Sequence, residues 1–100
     1  MKKIEQEKLQ LKTHLKTHLE ILESDLKSDE FKFVEAINII YPLIETGKNL
    51  IDFPIEITDE LIRLLSILYE LENKPTDIVL ITKAKLLIAS ILKKIDDWNN

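Results

Sequence analysis

The sequence contains no cysteine, one glycine, three prolines and only six aromatic residues. Without cysteine the chain can form no disulfide, and it has no thiolate to act as a nucleophile or metal ligand. A single glycine cannot build a glycine-rich phosphate-binding loop, and the few aromatics form no evident platform for stacking nucleotide bases. The shortage of glycine and proline disfavours a fold of many turns and favours a few long helices.

Basic residues are also in deficit, with fourteen Lys and Arg against eighteen Asp and Glu and a net charge of −4. This balance disfavours binding to nucleic acid or to an anionic membrane surface, because both need an excess of Lys and Arg. The charge is uneven: residues 45–77 contain eight acids and three bases, whereas residues 78–100 contain four Lys and two Asp. Two interpretations stay open, complementary charge between neighbouring helices and an acidic face for a basic partner.

Long hydrophobic runs are missing as well. No segment reaches the roughly 18 continuous apolar residues of a transmembrane helix, and the charged N-terminus is not followed by the apolar run of a signal peptide. The hydrophobic fraction of 45% is enough for one core in a chain of this length. We therefore expect a soluble, cytoplasmic protein with a single helical domain spanning residues 1–100.

Apolar residues recur at the spacing of one helix face in most of the chain. The clearest segment runs from Ile78 to Trp98, where the pattern holds for about six turns, and Thr76 and Asp77 precede it as start signals. A first helix is expected from about Lys2 to Leu26. A third helix is expected to begin with Thr58 as its N-cap and to stop at Asn73.

The predicted second helix, about Glu30 to Thr46, is apolar on nearly all sides. Such a helix lies at the centre of a bundle or is covered on a second side by another chain. Pro42 predicts a kink or a restart within it, because proline removes a helical hydrogen bond. Gly47 fits the position after a helix end where the backbone turns left-handed.

Residues 48–57 lack the helical pattern. Apolar and polar residues alternate there, which is typical of an extended segment with one buried face, and Pro54 would confine it to an edge. The apolar members are Ile51, Phe53, Ile55 and Ile57. The predicted fold is all-α, a compact four-helix bundle with a long, extended connection between helices two and three. The alternative is a three-helix core with helix one partly projecting.

Two candidate sites follow from these patterns. The connection is either a structural strap across the core or a partner-binding edge, and its candidate residues are Leu50, Ile51, Phe53, Ile55 and Ile57. His14 and His18 stand four residues apart on helix one, which directs both imidazoles the same way and makes them weak candidates for metal ligands. No further ligand lies close to them in sequence, so we expect no metal, no cofactor and no catalytic residue.

These observations predict a small, non-enzymatic helical module of inhibitor, immunity or adaptor type that binds another protein and self-associates as a homodimer. Bacteriocin immunity proteins are similar in size and helical architecture, but no motif residue carries this likeness, and a shared fold does not imply a shared function. Two alternatives stay open: a metal-binding sensor or small enzyme using His14 and His18, and a nucleic-acid-associated helical module.

Overall fold

The computed structural model describes residues 3–26, 33–50 and 53–98. The described residues form helices and no strand, which confirms the predicted all-α four-helix bundle. The helices are α1 (Lys3–Asp25), α2 (Phe33–Lys48), α3 (Ile55–Asn73) and α4 (Ile78–Asp97).

The helices pack as a ring in which each one contacts its neighbours in the chain and α4 closes against α1. Short connections make sequential helices antiparallel. Lys12, in the first half of α1, donates a hydrogen bond from Nζ to the carbonyl of Trp98, just past the end of α4, at 2.9 Å. Lys16, one turn further along α1, contacts Asp96, two residues earlier than Trp98, at 3.2 Å. The first and last helices therefore also run in opposite directions, and the bundle measures 45 × 21 × 19 Å.

The core is wholly hydrophobic, since no polar or charged side chain of the described residues is buried. The stripe predicted on helix four is confirmed at Ile88, Ile91 and Ile95, which are fully buried, whereas Leu87 and Leu92 of the same segment are only partly buried. Helix one belongs to the core rather than projecting from it. It contributes the buried residues Leu11, Leu15, Leu19, Leu22 and Leu26.

The second helix is not innermost, contrary to the prediction. Among the described helices it packs against α1 and α3 and not against α4, whereas α3 makes the most extensive contacts in the bundle. One face of α2 is buried and the other exposes large apolar side chains. The buried set is Ile37, Ile40 and Ile44, and the exposed set is Val34, Ile39 and Tyr41.

The structure of α2 excludes a restart at Pro42 and corrects the role predicted for Gly47. The helix continues through Pro42 without a restart and ends at Lys48. Gly47 therefore lies inside the helix, and it has no positive φ. A Cβ atom on Gly47 would stand 2.9 Å from Cε2 of Phe53. The glycine thus serves close packing of this aromatic ring rather than a left-handed helix end.

The long, extended connection between helices two and three is not confirmed. Six residues separate Lys48 from Ile55, and two of them, Ile51 and Asp52, lie outside the described residues. The predicted helix start at Glu30 also lies outside them.

Helix α3 begins four residues earlier than predicted, since its N-cap precedes Thr58 by four positions. Its N-cap is Pro54, whose carbonyl accepts hydrogen bonds from the backbone N–H groups of Ile57 and Thr58 at 3.1 and 3.3 Å. Proline suits a helix start because its fixed φ is compatible with one and its missing N–H needs no partner there. The extended conformation predicted for Ile55 to Ile57 is therefore wrong.

The start of α4 agrees with the sequence. The carboxylate Oδ1 of Asp77 accepts hydrogen bonds from the N–H groups of Val79 at 3.0 Å and Leu80 at 3.2 Å. Asp77 is thus the N-cap of α4, satisfying two of the free donors at the helix start. Within the described ranges, no helix is both long and apolar enough to cross a membrane.

Candidate protein-binding surface

The predicted partner-binding residues lie at different depths. Leu50 and Phe53 are half-buried and pack against the core, and Ile57 is fully buried. Ile55 is 70% exposed, and Ile51 lies outside the described residues. Among the predicted partner-binding residues that the structure describes, Ile55 is therefore the one whose side chain is exposed.

Phe53 is held at one end of the bundle by an aromatic contact. Its ring meets that of Trp98 edge-on, with centroids 5.2 Å apart and an interplanar angle of 86°, a favourable geometry for aromatic pairs. The ammonium of Lys8 lies 5.0 Å from the centroid of the Trp98 ring, within the range of a cation–π interaction. Trp98 thus links the connection to α1 as well as to the end of α4.

An apolar stripe runs along the outside of α3. Ile55, Ile62 and Tyr69 are 70%, 43% and 52% exposed and stand seven residues apart. Seven residues complete nearly two helical turns, so the three side chains form one line of about 21 Å.

Neighbouring residues of α3 show which side of the helix this stripe occupies. Leu61 is fully buried in the core. The carboxylate of Glu60 faces α4, because it accepts hydrogen bonds from Ser90 Oγ at 2.8 Å and from Lys94 Nζ at 2.6 Å. Successive residues project 100° apart, so Ile62 projects to the opposite flank, the one beside α2.

The flank of α2 that borders α3 follows from the same geometry. In an antiparallel pair, flanks of the same sense meet: either the two that follow the buried residue of each helix, or the two that precede it, as Glu60 and Ser90 do between α3 and α4. Between α1 and α4 this relation brings Lys16 and Asp96, which follow buried Leu15 and Ile95, to 3.2 Å. Between α2 and α3 the corresponding residues are Tyr41, which follows buried Ile40, and Ile62.

Tyr41 and Val34, 53% and 52% exposed, stand seven residues apart and therefore share this flank. Counted outward from the connection, Tyr41 lies level with Ile62, and Val34 lies level with Tyr69. We call this surface the α2–α3 face. It contains Val34, Tyr41, Ile55, Ile62 and Tyr69, five of the eleven exposed large hydrophobic residues of the described chain.

A second surface feature is an open groove of about 410 Å³ between α3 and α4. Its walls combine apolar side chains with charges of both signs. It is lined by Arg63, Ser66, Ile67, Glu70, Leu80, Lys83, Leu86 and Leu87. These lining residues include no histidine beside Ser66 and no pair of carboxylates, so they offer neither an activated nucleophile nor an acid–base pair.

His14 and His18 lie on α1, and their ring centroids are 6.4 Å apart. A protein zinc site needs at least three converging side-chain ligands. Among the residues that the structure describes, no group of three or more His, Cys, Asp or Glu side chains is arranged to hold a metal ion.

The α2–α3 face is missed by sequence reasoning, although its signal is present in the chain. Ile55, Ile62 and Tyr69 are spaced at heptad intervals, but the alternating pattern assigns Ile55 to the connection, and the leucine stripe of helix three places Ile62 beside the core. On α2, Tyr41 and Val34 are hidden among apolar residues on every side.

No family model matches the chain, and no curated protein or solved structure matches it.

Proposed function

We propose that this chain is a non-enzymatic protein-binding module of inhibitor, immunity or adaptor type, which binds through the α2–α3 face. The observation that carries the proposal is the line of three exposed apolar side chains on α3, widened by Tyr41 and Val34 on α2. Monomeric proteins rarely expose contiguous apolar patches larger than a few hundred Å², and larger ones mark interaction sites.

The composition of the face supports the same conclusion. Tyr41 and Tyr69 offer large, rigid contact surfaces with a polar tip, and tyrosine is enriched among residues that dominate binding energy. Asp59 and Glu45 are exposed near the edges of the face, and a polar rim around an apolar centre is the usual anatomy of an interface. Ile55, from the originally predicted site, belongs to this face, so its partner-binding role is part of the proposal.

No specific observation favours the alternative functions. The metal sensor or small enzyme would need a third ligand or a catalytic neighbour for His14 and His18, and the nucleic-acid module would need a basic surface. The acidic net charge of −4 opposes the second.

The proposal is tested by photo-crosslinking in the source cell. Tyr69 is replaced by the photoreactive p-benzoylphenylalanine, and Leu86, which is 66% exposed on α4, is replaced in a matched control chain. We expect the Tyr69 probe to give a discrete covalent adduct, identified by mass spectrometry, that is absent with the Leu86 probe. Ile62→Asp in the same chain should abolish the adduct while the helical circular dichroism is retained. Absence of any adduct, or the same adduct at both positions, would refute the proposal.

A further inference from the structure

We infer that a second copy of this chain covers the α2–α3 face, with the two α3 helices antiparallel across a twofold axis at Ile62. This inference rests on the proposed function, because it names the partner of the same surface. The two copies would use one self-complementary patch, as the closed symmetry of a dimer requires.

The spacing of the stripe is the first argument. Ile55 and Tyr69 lie equally far from Ile62, seven residues on either side. An antiparallel copy centred on Ile62 therefore places Ile62 against Ile62 of the other chain and Ile55 against its Tyr69. On α2, Tyr41 lies level with Ile62, so the same axis also brings the two copies of Tyr41 towards each other. Every apolar position of the α3 stripe then meets an apolar position.

The charges beside the stripe are the second argument. Asp59 and Arg63 are exposed on the outer side of α3, three residues before and one residue after Ile62. In the antiparallel arrangement, Asp59 of one chain lies within about 3 Å, measured along the helix axis, of Arg63 in the other. The twofold axis generates this opposite-charge pair twice. These two attractive pairs offset the like charges that the same axis brings within about 3 Å along the helix, Arg63 with its own copy and Glu56 with Glu70.

The size of the face is the third argument. A side of the bundle 45 Å long and 21 Å wide offers in projection on the order of 900 Å², whereas a standard-size stable interface buries roughly 800 Å² on each partner. The five residues of the face span about 21 Å of that length, so a stable dimer would also cover the polar surface around them.

The absence of natural cysteine permits a direct test of the arrangement by single-cysteine crosslinking. Under mild oxidation, the Ile62→Cys chain should crosslink to its own copy. Ile55→Cys alone and Tyr69→Cys alone should not, because each residue lies about 21 Å from its own copy along the axis. A mixture of these two variants should form a disulfide-linked heterodimer. Leu86→Cys controls for random collision between exposed thiols.

Charge exchange gives an independent readout by sedimentation equilibrium. Asp59→Arg should weaken dimerisation on the order of tenfold, since two attractive ion pairs, each individually weak at an exposed site, both become repulsive. The double variant Asp59→Arg/Arg63→Asp should restore the affinity of the original chain, because it exchanges the partners without changing the pairing.

Three results would overturn the inference: sedimentation of the chain as a monomer at high micromolar concentration, crosslinking of the Ile62→Cys variant no better than that of Leu86→Cys, or self-crosslinking of both the Ile55→Cys and the Tyr69→Cys variants. A monomer whose Tyr69 probe still captures a different protein would refute the second copy and retain the proposed function. A monomer with no adduct of any mass would refute both.

Discussion

The sharpest stability prediction concerns Gly47 and the ring of Phe53. A methyl group added to Gly47 would lie 2.9 Å from Cε2 of Phe53 and 3.1 Å from its Cδ2 and Cζ, closer than carbon atoms approach without repulsion. Moving the ring aside would break its edge-on contact with Trp98. Gly47→Ala should therefore force the ring out of its contact with Trp98.

Two effects of Gly47→Ala oppose each other. Alanine is favoured over glycine in a helix interior by up to about 1 kcal/mol, and the gain is smaller here because Gly47 is the second-last residue of α2. Overpacking costs typically about 1–3 kcal/mol. In a chain carrying Phe53→Ala the obstructing ring is absent, so only the helix-propensity gain remains. Gly47→Ala should thus be less favourable in the original chain than in the Phe53→Ala chain by about 1–3 kcal/mol.

Urea unfolding of the four chains in this double-mutant cycle measures the difference. Trp98, the only tryptophan, supplies a local signal: its emission should change with Gly47→Ala in the original chain but not in the Phe53→Ala background. Additivity of the two changes within about 0.5 kcal/mol, with the same Trp98 emission, would refute the packing role assigned to Gly47.

Three further predictions concern single elements of the bundle. Ile88→Ala should reduce the free energy of unfolding by about 2–5 kcal/mol, since Ile88 is fully buried. The control Leu86→Ala should change it by less than about 0.5 kcal/mol. Equal urea midpoints for the two variants would contradict the assignment of Ile88 to the buried face of α4. Asp77→Ala should cost about 1 kcal/mol in urea unfolding through loss of the α4 N-cap, and Asp77→Asn should recover most of it. Lys94→Met should lower the free energy of unfolding by about 1–2 kcal/mol, because the carboxylate of Glu60, which is 13% exposed, loses the Lys94 ammonium at 2.6 Å. An unchanged midpoint of thermal melting would show that this ion pair is not stabilising.

The helices are predictable from the sequence wherever a stripe of large apolar residues continues for several turns. The buried face of α4 and the leucines of α1 follow directly from residue spacing, because burial of a continuous stripe is the dominant stabilising term for such a helix. Asp77 is recognisable as a cap because a carboxylate placed immediately before an apolar stripe can accept from the free N–H groups.

The connection is mispredicted for a geometric reason. Residues two apart lie on the same face of a strand but project 200° apart in a helix. The alternating pattern therefore predicts that Ile55 and Ile57 share one buried face, whereas in α3 Ile57 is buried and Ile55 is 70% exposed. Two residues at this spacing are too few to show which period applies. The role of Gly47 escapes prediction for a different reason: it depends on the ring of Phe53, six residues away, and such a close approach leaves no periodic signal in the chain.

The surplus of apolar residues on α2 has a physical explanation once its position in the ring is known. Two explanations fit the sequence, a central helix and a helix covered on a second side by another chain. The bundle places α2 at the periphery, where Ile37, Ile40 and Ile44 complete the core. Val34 and Tyr41 remain exposed, and they lie beside the aligned stripe of α3 rather than at scattered points. Exposed apolar side chains that line up with the stripe of a neighbouring helix form one elongated apolar surface. Such a surface is better suited to packing against another helix than to contact with water.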